Sequence, residues 1–278
     1  MSYLKKEILR FIIIYSIIFL GAYLAIDNSE RIEIHRISKR FKKSDTDNVL
    51  PFILDFPYHE NNPVIKMKAN NKYLFFVVDT GATKNELNSN GIAKMKNHIP
   101  IDSEYAVINN IRFYLDKEDK YMINVDESPI DGLLGTPFLN TFGTVTFDYV
   151  NQEIILCDSE LENGTPFHVY KNHLYCDFEV YGKVFEGVID TGAFCSAFND
   201  QFFIENDYDD DVLKCMISGL SLSNQNYDDI EIYRTSNPAL KVNEPARDFM
   251  VANNILGANL FLNHKLKIDF VNKKFEIF

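Results

Sequence analysis

Two stretches of the 278-residue chain carry the same four residues, Asp79-Thr80-Gly81-Ala82 and Asp190-Thr191-Gly192-Ala193, each directly after an apolar run. A single Asp-Thr-Gly is an ordinary turn, because Asp and Gly both favour turns. A duplicated turn would explain the repetition but not an acid at both places. Two carboxylates in matched settings carry acid–base chemistry, one acting as acid and the other as base. Nothing in this chemistry calls for a metal or a cofactor. The six histidines are scattered without an HExxH pattern, and Cys157, Cys176, Cys195 and Cys215 form no CxxC pair. Cys195 follows Asp190 by five residues, but no histidine partner accompanies it, so it reads as a small buried side chain.

The flanking sequence shows what must position these acids. Residues 66–82 align without a gap on residues 177–193, at an offset of 111. Asn70-Asn71 and Tyr181-Gly182 then fall at the turn of a hairpin whose second strand runs into the aspartate. Upstream, Pro51-Phe52 matches Pro166-Phe167; downstream, residues 133–156 resemble residues 255–278. In that segment Gly135 pairs with Gly257 and Asp148 with Asp269, while Val150-Asn151 and Val271-Asn272 mark the turn of a closing hairpin. The body therefore divides into lobe one, residues 49–157, a linker, 158–165, and lobe two, 166–278. Each lobe has about 110 residues of short strands, a workable size for a small β domain. Long amphipathic helical stretches are scarce, so the fold class is all-β.

These residues resemble the active-site signature of aspartic peptidases. The tetrapeptides at Asp79 and Asp190 match its Asp-Thr-Gly motif. Leu133-Leu134-Gly135 and Ile255-Leu256-Gly257, whose glycines lie 54 and 65 residues beyond those of the motif, match the second signature of two apolar residues and Gly. The lobe size and the Ala after Asp-Thr-Gly resemble the retropepsin side of the clan, and two fused lobes resemble the pepsin side. The resemblance implies a bilobal all-β fold with one catalytic aspartate from each lobe at their interface, and the activity of an endopeptidase. It further implies that Thr80 and Thr191 cross-bond between the lobes, and that Gly81 and Gly192, with Ala82 and Ala193, shape the catalytic loops. Gly135 and Gly257 would pack behind those loops. A flap over the site would come from 102–107, with Tyr105 near its tip, or from 217–223, around Gly219. One chain supplies both acids, so a monomer would suffice, acting on a protein or peptide substrate with no metal and no cofactor. The alternative from another class is a catalytically silent, membrane-tethered peptide-binding module of the same fold. A second alternative is a homodimer using only one lobe.

Composition and the amino terminus set the surroundings. Net charge is −12, with 28 Lys and Arg against 40 Asp and Glu, which argues against nucleic acid as a partner because phosphate binding needs a basic face. Residues 11–26 hold no charge, and residues 8–26, with Arg10 snorkelling, give 19 residues against the ~20 that span a bilayer. Cleavage after Ala25 would put Tyr23 at the −3 position, a poor fit to a signal peptide, so residues 1–26 read as an uncleaved single-pass anchor. Residues 27–48 then form a charged stalk. Lys5, Lys6 and Arg10 favour a cytoplasmic amino terminus with the body outside, although six basic residues between Arg31 and Lys43 pull the other way.

Overall fold

The computed structural model describes residues 48–57, 59–99, 103–117, 129–209, 211–237, 240 and 244–278. The anchor of residues 1–26 and nearly all of the 27–48 stalk lie outside the described residues, as does residue 102 of the first flap segment. No helix among the described residues is long and apolar enough to cross a membrane.

The architecture is all-β, and the two halves share a central hairpin whose second strand runs into an aspartate. In the first half, Val49–Phe56 pairs antiparallel with His59–Ala69, which pairs antiparallel with Lys72–Val78. The connecting Asn70 and Asn71 have φ of 45° and 65°, the two left-handed residues that a tight hairpin turn requires. In the second half, His173–Val180 and Lys183–Ile189 form the matching hairpin, in register from Tyr175↔Val188 to Val180↔Lys183. Tyr181 and Gly182 turn it with φ of 54° and 75°. Asn tolerates this left-handed backbone and Gly is indifferent to it, which suits Asn70, Asn71 and Gly182 to the turns, whereas Tyr181 adopts it against the preference of its side chain.

The strand that ends before each aspartate is held by a parallel partner. Lys72–Val78 lies beside Gly132–Leu134, with Val78 opposite Leu134; Lys183–Ile189 lies beside Asn254–Leu256, with Ile189 opposite Leu256. The residues that run into the aspartates are buried, Leu74 to Val78 in the first half and Gly187 to Ile189 in the second, with Leu134, Ile255 and Leu256 beside them, as the apolar sequence of a two-sided strand demands. Asp79 and Asp190 then leave the sheet at equivalent points, their N–H groups donating to the carbonyls of Leu134 at 2.9 Å and Leu256 at 3.0 Å.

A third layer joins the halves. The hairpin of Thr144–Asp148 with Glu153–Leu156 and the hairpin of Lys265–Asp269 with Lys274–Ile277 meet edge to edge through Thr144–Asp148 and Lys265–Asp269. Val49–Phe56 and Thr165–Pro166 extend this sheet at its two ends. The register runs from Lys265↔Asp148 to Asp269↔Thr144 and is symmetric about Lys267↔Thr146. Between the layers lies an aromatic core rich in Phe: Phe52, Phe147, Phe261 and Tyr149 pack with ring centroids 5.6–6.5 Å apart. The helices are short. Ser89–Met95 is capped by the Asn88 side chain and Asp200–Glu205 by that of Asn199, each accepting from the N–H three residues on.

Asp148 and Asp269 tie off the closing hairpins. The fully buried Asp269 accepts from the N–H of Leu161, Val271 and Asn272 and from the Asn272 amide at 2.9–3.0 Å. Burial pushes its carboxyl up, and these donors, Asn272 foremost, more than offset this and hold it below the ordinary range. Its stabilising contribution is therefore present above the unfolded-state value of about 3.9 and is lost as pH falls through the lower folded value. Asp269→Ala should cost about 2–3 kcal/mol at pH 7, because it strands buried donors. Urea unfolding of both proteins at pH 7 and pH 3 checks this: the gap should be wide at pH 7 and narrower at pH 3.

Candidate active site

The loops that follow the two central strands face each other, and their threonines bind across the boundary. Thr80 N–H donates to Thr191 Oγ1 at 3.1 Å, and Thr191 N–H donates to Thr80 Oγ1 at 3.0 Å. Each hydroxyl then donates to the strand of the other half: Thr80 Oγ1 to the Ile189 carbonyl at 2.7 Å and Thr191 Oγ1 to the Val78 carbonyl at 2.8 Å. Both threonines are fully buried. A hydroxyl is the one small group that accepts and donates at once, which this closed ring of four bonds requires.

The ring brings the aspartates together. A Cβ added to Gly81 would lie 2.4 Å from Asp190 Cγ, and one added to Gly192 would lie 2.1 Å from Asp79 Cγ. Each carboxylate thus rests on the opposing glycine, where no other residue fits. Asp79 Oδ1 accepts from Gly81 N–H at 2.7 Å and Ala82 N–H at 3.0 Å; Asp190 Oδ1 accepts from Gly192 and Ala193 N–H, both at 2.9 Å. The two carboxyls lie within reach of each other. Burial raises the proton affinity of Asp79, against the hydrogen bond from Asp190 and the loop N–H groups. Burial raises Asp190 well above the ordinary carboxylate range, and the Asp79 charge and hydrogen bond add to it. The proton belongs to the pair, because two carboxylates this close do not both ionise. Both residues nevertheless keep some solvent exposure, so the pair is open on one side.

Gly135 and Gly257 lie behind the loops. Side chains there would strike the carbonyls of Lys84 at 2.4 Å and Ala82 at 2.5 Å, and of Cys195 at 2.2 Å. The residues after them hold the loops by backbone bonds, Thr136 N–H to the Ala82 carbonyl at 2.9 Å and Ala258 N–H to the Ala193 carbonyl at 2.8 Å. The flap candidates are placed differently. Tyr105 is 48% exposed on the edge strand Tyr105–Ile108, with the Arg112 guanidinium over its ring. Gly219 is in a hairpin whose Leu220 pairs with Val180, at the turn end of the strand pair that leads to Asp190. Nothing lies within 4 Å of the position a Gly219 Cβ would take, so neither carboxylate is there.

Sequence reasoning missed several residues of the site. Asn62 donates to the carbonyls of Thr191 at 3.2 Å and Gly192 at 2.8 Å, and Asn61 to that of Phe194 at 3.3 Å. From the other half, Asn172 donates to the Thr83 carbonyl at 3.2 Å, and His173 lies close to the Gly81 backbone. The signal was available: Asn61-Asn62 and Asn172-His173 are related by the same offset of 111 as the aspartates. Tyr149 lies near the pair with its hydroxyl buried; burial, then the charges of Asp190 and Asp79, push its proton affinity up. Glu86 is a further buried acid, raised to about 7 by burial and then by Asp116, with Lys84 opposing. All four cysteines are free thiols, and burial pushes Cys195 up to about 12, far from a reactive thiolate.

The close fit at the glycines gives a direct test. Gly192→Ala should lower stability by about 2–3 kcal/mol, a fall in Tm of roughly 5–10 °C, because backbone and carboxylate must both move. Gly219→Ala, at φ +72° with open space around it, should cost only about 1 kcal/mol. Thermal melts of the two variants check the contrast.

No protein-family model matches this chain, and no curated protein matches it. Among solved structures, the crystal structure of a retropepsin-like aspartic protease from Rickettsia conorii is similar to it, with 12% identity and a TM-score of 0.28, over 36% of this chain and 77% of that one.

Proposed function

We propose that this protein is an aspartic endopeptidase whose two acids are Asp79 and Asp190. The observation that carries the reading is a pair of carboxyl groups, one from each half, each packed on the glycine of the opposing loop and each keeping some solvent exposure. Such a pair needs no metal. Its ionised member takes a proton from a bound water, and that water attacks the carbonyl carbon of the scissile amide. The protonated member donates a hydrogen bond to the carbonyl oxygen as negative charge develops there. A proton then reaches the leaving nitrogen, and the peptide bond breaks. The N–H groups of Gly81, Ala82, Gly192 and Ala193 hold both carboxylates in place, so little reorganisation is needed as the proton moves. Because one chain carries both acids, no second copy is required. In the full chain residues 8–26 would tether this peptidase to a membrane.

A silent peptide-binding module would keep the fold but would not need two acids. Asp79→Asn and Asp190→Asn should each leave the melting curve close to that of the wild type and lower cleavage of a peptide library by roughly 10³-fold or more. Turnover by either variant at the wild-type rate would overturn the proposal.

The pH dependence follows from the same pair. A hydroxyl on the residue after Asp-Thr-Gly could donate to the ionised carboxylate and lower its proton affinity, but both positions are alanine, Ala82 and Ala193. With burial raising both acids, the pair holds its shared proton to higher pH. A kcat/KM–pH profile should peak on the order of pH 5–6.5, and the double variant Ala82→Ser, Ala193→Ser should move that peak downward.

A further inference from the structure

The sheet face beside each aspartate carries a matched row of side chains, and the rows differ sharply at one place. In the first half, register sets Val64 opposite Val77, Val77 opposite Leu133, and Glu86 opposite both Leu133 and Tyr114. In the second, Tyr175 lies opposite Val188, Val188 opposite Ile255, and Ala197 opposite both Ile255 and Tyr233. Directly opposed residues share a face, as do residues two apart along a strand. Val77 stands two residues before Asp79, and Val188 two before Asp190, so each row lies on the aspartate's side of its sheet. Ala193, whose N–H bonds Asp190, packs against the second row. Glu86 and Ala197 are equivalent by the offset of 111, and two residues further on Asn88 and Asn199 cap matching helices. The second row is an apolar cluster completed by Leu240, Phe249 and Met250. The fold thus accepts a small apolar residue at this place, and an acid there belongs to the first half alone. Glu86 is 7% exposed, and its Oε2 is buried with no hydrogen-bond partner among the described residues.

We propose that Glu86 is a specificity-determining residue: its carboxyl receives the ammonium or guanidinium of a Lys or Arg of the substrate, on one side of the scissile bond. This rests on the peptidase reading and deepens it by naming a substrate class. Glu86 lies two strand spacings, about 10 Å, from the strand that runs into Asp79. An extended peptide advances about 3.3 Å per residue, so the side chain that reaches Glu86 comes from within about three residues of the cleaved bond. A buried acceptor left unmet is costly, and a cationic donor makes the stronger, charge-assisted bond. This face already seats a cation. Lys84, two residues before Glu86, holds its ammonium 5.1 Å from the ring centroid of the half-exposed Tyr114, yet leaves Glu86 Oε2 unmet. Burial first, then Asp116, raise the Glu86 carboxyl to about 7, and an incoming cation favours its ionised form. Ala197 offers no such acceptor in the second half, so the preference falls on one side of the bond only.

The test gives a peptide library to the full chain, as wild type, Glu86→Gln and Glu86→Ala, and reads the cleaved products by mass spectrometry. Wild type should enrich Lys or Arg at a single position within about three residues of the cleaved bond. Matched peptides carrying Lys or norleucine at each position in turn then give a ratio of kcat/KM. At the enriched position that ratio should favour Lys roughly tenfold in wild type, fall to near parity in Glu86→Gln and invert in Glu86→Ala. Glu86→Gln keeps the size of the side chain and answers the question alone if Glu86→Ala does not fold. A folded variant with the wild-type ratio would overturn the proposal, as would a wild type that enriches no basic residue. Basic residues enriched evenly along the peptide would overturn it too, since a net charge of −12 produces that without any one acid. If wild type cleaves no peptide, the peptidase reading falls. The Lys-to-norleucine ratio of Kd, from fluorescence anisotropy on the same peptides, then decides the role of Glu86, and equal ratios in wild type and Glu86→Gln would end it.

Discussion

The site depends on the four hydrogen bonds that Thr80 and Thr191 exchange between the halves. Two acids will not approach each other unaided, since burial and mutual repulsion both oppose it. The threonine ring supplies the opposing constraint, because its hydroxyls and N–H groups are buried and find partners only in each other's half. Breaking any one bond would strand a buried polar group, at a cost of about 1–3 kcal/mol. The glycines set how close the halves come, and the carboxylates, each lying on the opposite glycine, have no room to turn away. The shared proton is thus a consequence of packing: the geometry leaves one proton as the way to relieve the repulsion.

Much of this was legible in the residues, and the reasons are specific. The β character followed from short apolar runs punctuated by turn residues, and Asn70-Asn71 and Tyr181-Gly182 sit at the tight turns. Asp79 and Asp190 stand out because two identical tetrapeptides follow two apolar strands, and these are the acids that the structure brings into contact. Less legible was anything made by long-range pairing. That Thr144–Asp148 lies against Lys265–Asp269 has no local signature, because either hairpin could face solvent as well as a partner strand. Gly219 stood out for its place between Asp190 and Gly257, but its hairpin pairs at the turn end of the sheet instead. Asn62 and His173 escaped notice because a single Asn or His carries no local signal of its partner; only their shared offset distinguishes them.

The two halves are alike in backbone and unlike in the side chains that serve the acids. Thr136 faces the Thr80 carbonyl where Ala258 leaves its counterpart to Asn62, and His173 stands where the first half has Asn62. A pair made from two identical halves would be electrically symmetric, and neither acid would be distinguished from the other. Here the difference is built into the side chains that bond the backbone of the two loops, Thr136 at one and Asn62 at the other.

The register of the joining sheet carries a consequence of another kind. Each closing hairpin offers one strand edge to the other, and the pairing is symmetric about Lys267↔Thr146. An edge that pairs symmetrically with a look-alike has the hydrogen-bond pattern to pair with itself. Either half, made alone, would expose that edge as an open template and meet its own copy in the same antiparallel register. Fusing two such halves in one chain places the matching edge a short tether away, at a high effective concentration, so self-pairing between molecules is outcompeted. The joining sheet thus guards the folded chain against its own aggregation.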